Sequence, residues 1–200
     1  HRMSAEHFPR LRALMISSRW SMMLSYILLF VLVPLMPSIF TERFGYPVQQ
    51  ATSLAAVLDL FRLGAFVLLF LWARWHGRSE LLSLVAVALP IGFFMVLFGP
   101  SVPIVMMGAL IFGAAAGLAY FSALYYAMVV QDASVEAGGS HEGLIGLGFA
   151  IGPAAGIAGV MLSGPLGSDE AGMLVPTLLI IAVCTAASVR PLARLGRHAA

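Results

Sequence analysis

Lysine is absent from the 200 residues, and all eleven basic side chains are arginine. A phosphate-binding loop that ends Gly-Lys-Ser/Thr is therefore impossible. Charge of either sign is scarce, at 10% of the chain, where an ordinary soluble domain carries about a quarter. A net charge of +2 leaves no basic footprint for nucleic acid. The single cysteine, Cys184, excludes an intrachain disulfide and, lying in an apolar run, reads as a small core or lipid-facing residue. Neither the zinc-helix pattern His-Glu-x-x-His nor a Gly-x-Ser-Gly serine motif occurs. No catalytic residue, metal-ligand set or cofactor is assigned, and the chain is not expected to be an enzyme. The first ten residues, HRMSAEHFPR, lack the apolar core of a signal peptide. Together with a start at His1, this suggests an internal fragment or a trimmed chain.

Apolar side chains are what the sequence has. They make up 60% of it, with a mean hydropathy of +0.96, which describes a protein dissolved in lipid. Spans of about 20 apolar residues cross a bilayer. Six such runs occur, at 14–39, 50–73, 80–98, 102–130, 143–165 and 172–189. Between them lie TERFGYP, RWHGRSE, GPSVP, QDASVEAGGSHE and GPLGSDEAG, all rich in turn formers. The fold class is all-α membrane protein. Residues 1–13 form a cytoplasmic lead-in, 14–189 the bundle and 190–200 a cytoplasmic tail.

Arginine placement orients the spans. Arg2, Arg10, Arg12 and Arg19 precede or enter the first, Arg74 and Arg78 follow the second, and Arg190, Arg194 and Arg197 follow the sixth. All three groups fall on one side, which the positive-inside rule makes cytoplasmic. The other side holds Glu42, Arg43, Asp169 and Glu170. The acidic 131–142 loop carries little weight in this rule. Both termini are thus expected in the cytoplasm.

Charges deep in a span are the costliest feature. Asp59 and Arg62, in LDLFRLG, sit near the middle of the second span, where a charge costs roughly 2.5 to 3.5 kcal/mol on insertion scales. Spaced i, i+3, they share a helix face and can pair. They form a self-neutralising pair that locks helix packing, or Asp59 takes up a proton or cationic group while Arg62 holds an anionic group or tunes Asp59. Ser18, Ser21 and Ser25 share a face of the first span with Tyr26 beside it. Gly113, Gly117 and Tyr120 share one in the fourth. Serines can also bond their own helix carbonyls, and Tyr125 and Tyr126 fit interfacial anchors. His141 and Glu142, being adjacent, do not face each other. They read as polar groups at the cytoplasmic start of the fifth span, where Glu142 suits the helix dipole.

In the fifth span, GLGFAIGPAAGIAGV places Gly148, Gly152 and Gly156 four apart around Pro153. In lipid such a small-residue stripe lets helices approach closely, and a proline bend is tolerated where neighbours satisfy the freed backbone. GFAIGPAAG resembles the G-x-x-x-G-P-x-x-G-G signature of major facilitator superfamily transporters, with Ile157 in place of the last glycine. WARWHGR is similar to the family's G-x-x-x-D-R-x-G-R-R loop at Arg74, Gly77 and Arg78, with spacing one residue longer and no acidic residue.

The resemblance implies the C-terminal six-helix half of such a transporter, helices seven to twelve. This half is built of two inverted three-helix repeats and partnered by an N-terminal six-helix bundle. Tyr26 and Tyr120, with Ser21 and Ser25, would line the cavity on helices seven and ten. The third and sixth spans would be the lipid-facing helices nine and twelve, with Pro90 and Pro176 as bends or span starts. The implied function is alternating-access transport of a small solute, with or without proton coupling, in a bacterial cytoplasmic (inner) membrane. The alternative is a half-size scaffold or partner subunit without transport of its own.

This topology places the loops at Gly45, Pro100 and Gly167 outside and Gly77 inside. In a background lacking Cys184, a cysteine at Gly77 should react with impermeant maleimide only from the cytoplasmic face. Labelling from outside would overturn the orientation.

Overall fold

A backbone in lipid must satisfy its own hydrogen bonds, and continuous helices are one of the two ways to do so. The computed structural model describes residues 8–167 and 169–198. It is all-helical, with no strand among the described residues: α1 Phe8–Ser38, α2 Val48–Leu71, α3 Ser79–Phe98, α4 Val102–Val130, α5 Val135–Leu166 and α6 Asp169–His198. All six contain segments long and apolar enough to cross a membrane. By length and composition the chain is an integral membrane protein. Arg2, His1 and Ala200 lie outside the described residues.

The helices overrun the sequence-derived spans most at three ends. α1 starts at Phe8, inside the expected lead-in, and α6 continues through the expected tail. α5 starts at Val135, eight residues before the expected 143. Ser134 explains this start: its Oγ accepts from the Ala137 N–H at 3.2 Å, and Glu136 stands in the first turn. α5 then runs unbroken through Pro153.

α1 and α4 pack together at the centre. α4 is flanked by α2 and α3, and α1 by α5 and α6. The main core runs between α1, α3 and α4 through Leu28, Leu32, Leu89, Phe93 and Phe112, and Cys184 joins it from α6. A second cluster, Leu14, Leu69, Trp75, Leu82, Tyr126 and Leu192, closes the end that bears most of the arginines. α2 and α5 are the least buried helices. α3, expected at the lipid, buries Val85, Leu89, Gly92, Phe93 and Val96 and leaves Leu84, Val87 and Ile91 exposed. α3 therefore packs one face on α4 through the notch at Gly92 and leaves the other exposed.

Glycines set the closest approaches. A Cβ built on Gly92 would lie 2.6 Å from the Phe112 backbone nitrogen, and one on Gly108 2.8 Å from that of Val96, so α3 and α4 touch backbone to backbone. Gly113 and Gly117 do the same for α4 on α2, against the Leu58 and Arg62 carbonyls at 2.7 and 2.9 Å. Gly148 and Gly152 meet α1 at Tyr26 Cβ and Phe30 Cβ, at 2.5 and 2.6 Å. Gly156 does not belong to this contact, since nothing lies within 4 Å of a Cβ there. It lines a groove of about 590 Å³ with Phe30, Pro34, Pro153 and Met161.

Gly152 and Gly156 should therefore respond differently to one methyl group. Gly152→Ala should lower stability by about 1–3 kcal/mol through overpacking against Phe30 and the Ile27 carbonyl. Gly156→Ala should be neutral or stabilising. Unfolding midpoints in detergent measure both, and equal midpoints would remove the packing account.

Candidate functional site

Close packing of α4 on α2 and of α5 on α1 brings one face of four helices together. α2 contributes the pair Asp59 Oδ1 to Arg62 Nη2 at 3.1 Å. Neither side chain is sealed: Asp59 is 56% and Arg62 25% exposed. The Arg62 guanidinium lies 6.0 Å from the centre of the Tyr26 ring on α1, within cation–π reach. Tyr26 and Tyr120 rings are 6.3 Å apart, and Tyr120 meets Phe66 of α2 at 5.2 Å. Phe30 and Phe149 extend the aromatic face, with ring centres 4.0 Å apart. Asp59, Arg62, Tyr26 and Tyr120 thus form one surface, and glycines position it. Gly117 opposes the Arg62 carbonyl, and Gly148 opposes Tyr26 Cβ.

Ser21 and Ser25 lie elsewhere. Ser21 Oγ is 2.8 Å from Ser188 Oγ on α6, and Ser17 Oγ is 3.2 Å from the same atom. Ser25 donates to the Met22 carbonyl and Ser18 to that of Met15. All five serines are buried. They turn inward, so the face shared by Ser18, Ser21 and Ser25 is an interior face and Tyr26 points off it toward α2 and α4.

No sequence pattern joins His141 to this surface, but the structure does. With α5 starting at Val135, His141 falls in its second turn, 1% exposed, with its ring edge-on to Tyr120 at 4.8 Å and 75°. Neither Nδ1 nor Nε2 has a hydrogen-bond partner. A buried polar group left unpaired costs about 1–3 kcal/mol. Nearby, Arg19 donates through Nη2 to Gln131 Oε1 and Ser140 Oγ at 2.8 and 2.7 Å, and its Nε is unpartnered. The one signal for His141 was the helix start at Ser134; the glycines at 138 and 139 obscured it. Among the described residues no three of His, Cys, Asp and Glu gather as a metal site would require.

Arg74, Gly77 and Arg78 form a separate group at the arginine-bearing end. Gly77 has φ +75°, a conformation that suits glycine. Its N–H donates to Tyr126 Oη at 2.9 Å, and its carbonyl accepts from Arg10 at 3.0 Å. Arg78 lies 6.0 Å from the Trp72 ring centre, and Arg74 is exposed. Tyr126, read from sequence as an interfacial anchor, is instead buried beside Trp75, where it holds this loop. A comparison with known protein families, curated proteins and solved structures returns no match.

Tyr126→Phe keeps the packing on Trp75 and removes the only side-chain acceptor of the Gly77 N–H. It should cost about 1 kcal/mol and speed proteolysis at residues 73–78 while leaving the helices intact. An unchanged cleavage rate would show that the bond does not hold the loop.

Proposed function

We propose that this chain is the C-terminal bundle of a secondary transporter of the major facilitator type, moving a small solute by alternating access in a bacterial cytoplasmic membrane. One observation carries the reading. The Asp59–Arg62 pair lies in the middle of α2 on a face that the six helices leave open. A charged pair cannot face hydrocarbon cheaply, so such a face turns toward water or further protein. An N-terminal six-helix bundle, closing a wet cavity over Tyr26, Arg62 and Tyr120, meets that requirement.

The helix pairing supports the same reading. Exchanging the first three helices for the last three carries the α2–α4 contact into α5–α1 and the α3–α4 contact into α6–α1, while the α5–α6 contact has no α2–α3 counterpart; the two shared contacts are those that inverted three-helix repeats would give. The arginines at Arg10, Arg12, Arg74, Arg78, Arg190 and Arg194 fit a cytoplasmic end for both termini. In this reading Gly148 and Gly152 form the bearing on which α5 moves against α1, with Pro153 and Gly156 beside the open groove. Arg74, Gly77 and Arg78 hold the cytoplasmic loop. Ser21 and Ser25 serve packing against α6 and the helix's own carbonyls rather than the pathway.

The ion pair tests the site. The full-length protein is reconstituted with a pH-sensitive dye inside the vesicles, and a panel of small organic acids, amines and sugars is screened for driven flux. Asp59→Asn and Arg62→Gln should each insert normally and lower flux about tenfold or more, and the double variant should stay inactive. Full recovery in the double variant would mean that the pair only neutralises itself, and would remove it from the pathway.

A further inference from the structure

Packing alone does not account for His141. The site is small, closed and edge-on to an aromatic ring, which an apolar side chain would fill without stranding two nitrogens. A neutral imidazole carries one N–H and one bare lone pair, and here neither meets a partner. The groups around it come from three helices. α1 brings Arg19, α4 brings Tyr120, and α5 itself brings Glu142, with Tyr26 of α1 beyond Tyr120 and the Arg62–Asp59 pair of α2 on the far side of Tyr26. From α2 to α5 the order is Asp59, Arg62, Tyr26, Tyr120, His141, each at the distances given above. His141 is thus the sealed end of a polar and aromatic line whose other end is open.

We propose that His141 is the proton-binding group of the transport cycle. When the α4–α5 contact at Tyr120 opens, its bare ring nitrogen takes a proton from hydronium. A new N–H bond forms, water is left, and the imidazolium gains water as a partner, with the exposed Glu142 carboxylate adjacent in the chain. When the contact closes, an imidazolium without a hydrogen-bond partner beside Arg19 is costly, so the proton returns to water before the ring is sealed. Opening and proton uptake are then a single event, and solute held at Arg62 senses it through Tyr26 and Tyr120. This role rests on the transporter reading and adds the coupling ion to it.

Two measurements on the full-length protein test the role. In lipid nanodiscs with ¹⁵N-labelled histidine, the signal lost in His141→Gln identifies His141 in the wild type. That signal should pass from neutral imidazole to imidazolium between about pH 9 and pH 5, and Tyr120→Leu, which loosens the contact, should shift its midpoint. A ring that stays neutral across that range overturns the proposal and leaves the transporter reading intact. In proteoliposomes, His141→Gln should lose accumulation driven by a pH gradient about tenfold or more, while exchange of the same solute without a gradient continues. Retained gradient-driven accumulation sinks the role alone. A wild-type protein that moves none of the panel sinks the transporter reading and this role with it.

Discussion

Lipid tails are as apolar as leucine, so these helices gain little by leaving the bilayer for one another and must associate by close approach. Glycine permits that approach, and the bundle uses it at the α3–α4, α2–α4, α1–α5 and α5–α6 contacts. The consequence reaches beyond packing. Where Gly117 lets α4 meet the Arg62 carbonyl and Gly148 lets α5 meet Tyr26, the distance between backbones sets the distance between functional side chains. A methyl group at either position would move Arg62 or Tyr26 along with its helix. The candidate site and the helix contacts are therefore one construction.

The same solvent separates two kinds of polar residue. Ser17, Ser21 and Ser188 satisfy one another across α1 and α6, and Ser18 and Ser25 bond carbonyls of their own helix. They place no demand on anything outside the bundle. Asp59 and Arg62 satisfy each other in charge but remain partly exposed, and two ions at that depth need more than each other. His141 has the opposite problem, being fully enclosed and unsatisfied. Internal packing closes the serine cluster, whereas the other two are left open by it, and the proposed reading assigns them to a second body and a second state.

How much of this was legible follows from how far each signal reaches along the chain. Six apolar runs are local, and each appears as a helix. The pairing of Asp59 with Arg62 is local too, one helical turn apart. Which neighbour a helix face meets is not local. The face of Ser18, Ser21 and Ser25 was visible, but not that α6 would cover it with Ser188. Gly156 continued a regular stripe, yet α1 and α5 have already parted at that level and leave a groove there. Tyr126 looked like a membrane anchor until the loop at Gly77 folded back onto it. His141 lay in an apparent loop because two glycines follow a good N-cap, and Ser134 outweighed them.

The absence of a residue-level repeat between the two halves of the sequence has a physical reason in these contacts. Under the proposed inverted arrangement, the α2–α4 contact corresponds to α5–α1. The glycines of the first contact sit on α4, at Gly113 and Gly117, whereas those of the second sit on α5, at Gly148 and Gly152. Had residues followed the exchange of helices, the second pair would lie on α1, where Tyr26 and Phe30 stand instead. Close approach requires a small residue on only one side of a contact, so the notch can change sides without changing the packing. The freed side can then carry a large functional group. On α1 that freedom places Tyr26 beside Arg62, and on α2 it leaves Arg62 opposite the notch at Gly117. Under the proposed arrangement, these two contacts correspond while the small residue changes sides, and Tyr26 and Arg62 stand at the positions that differ.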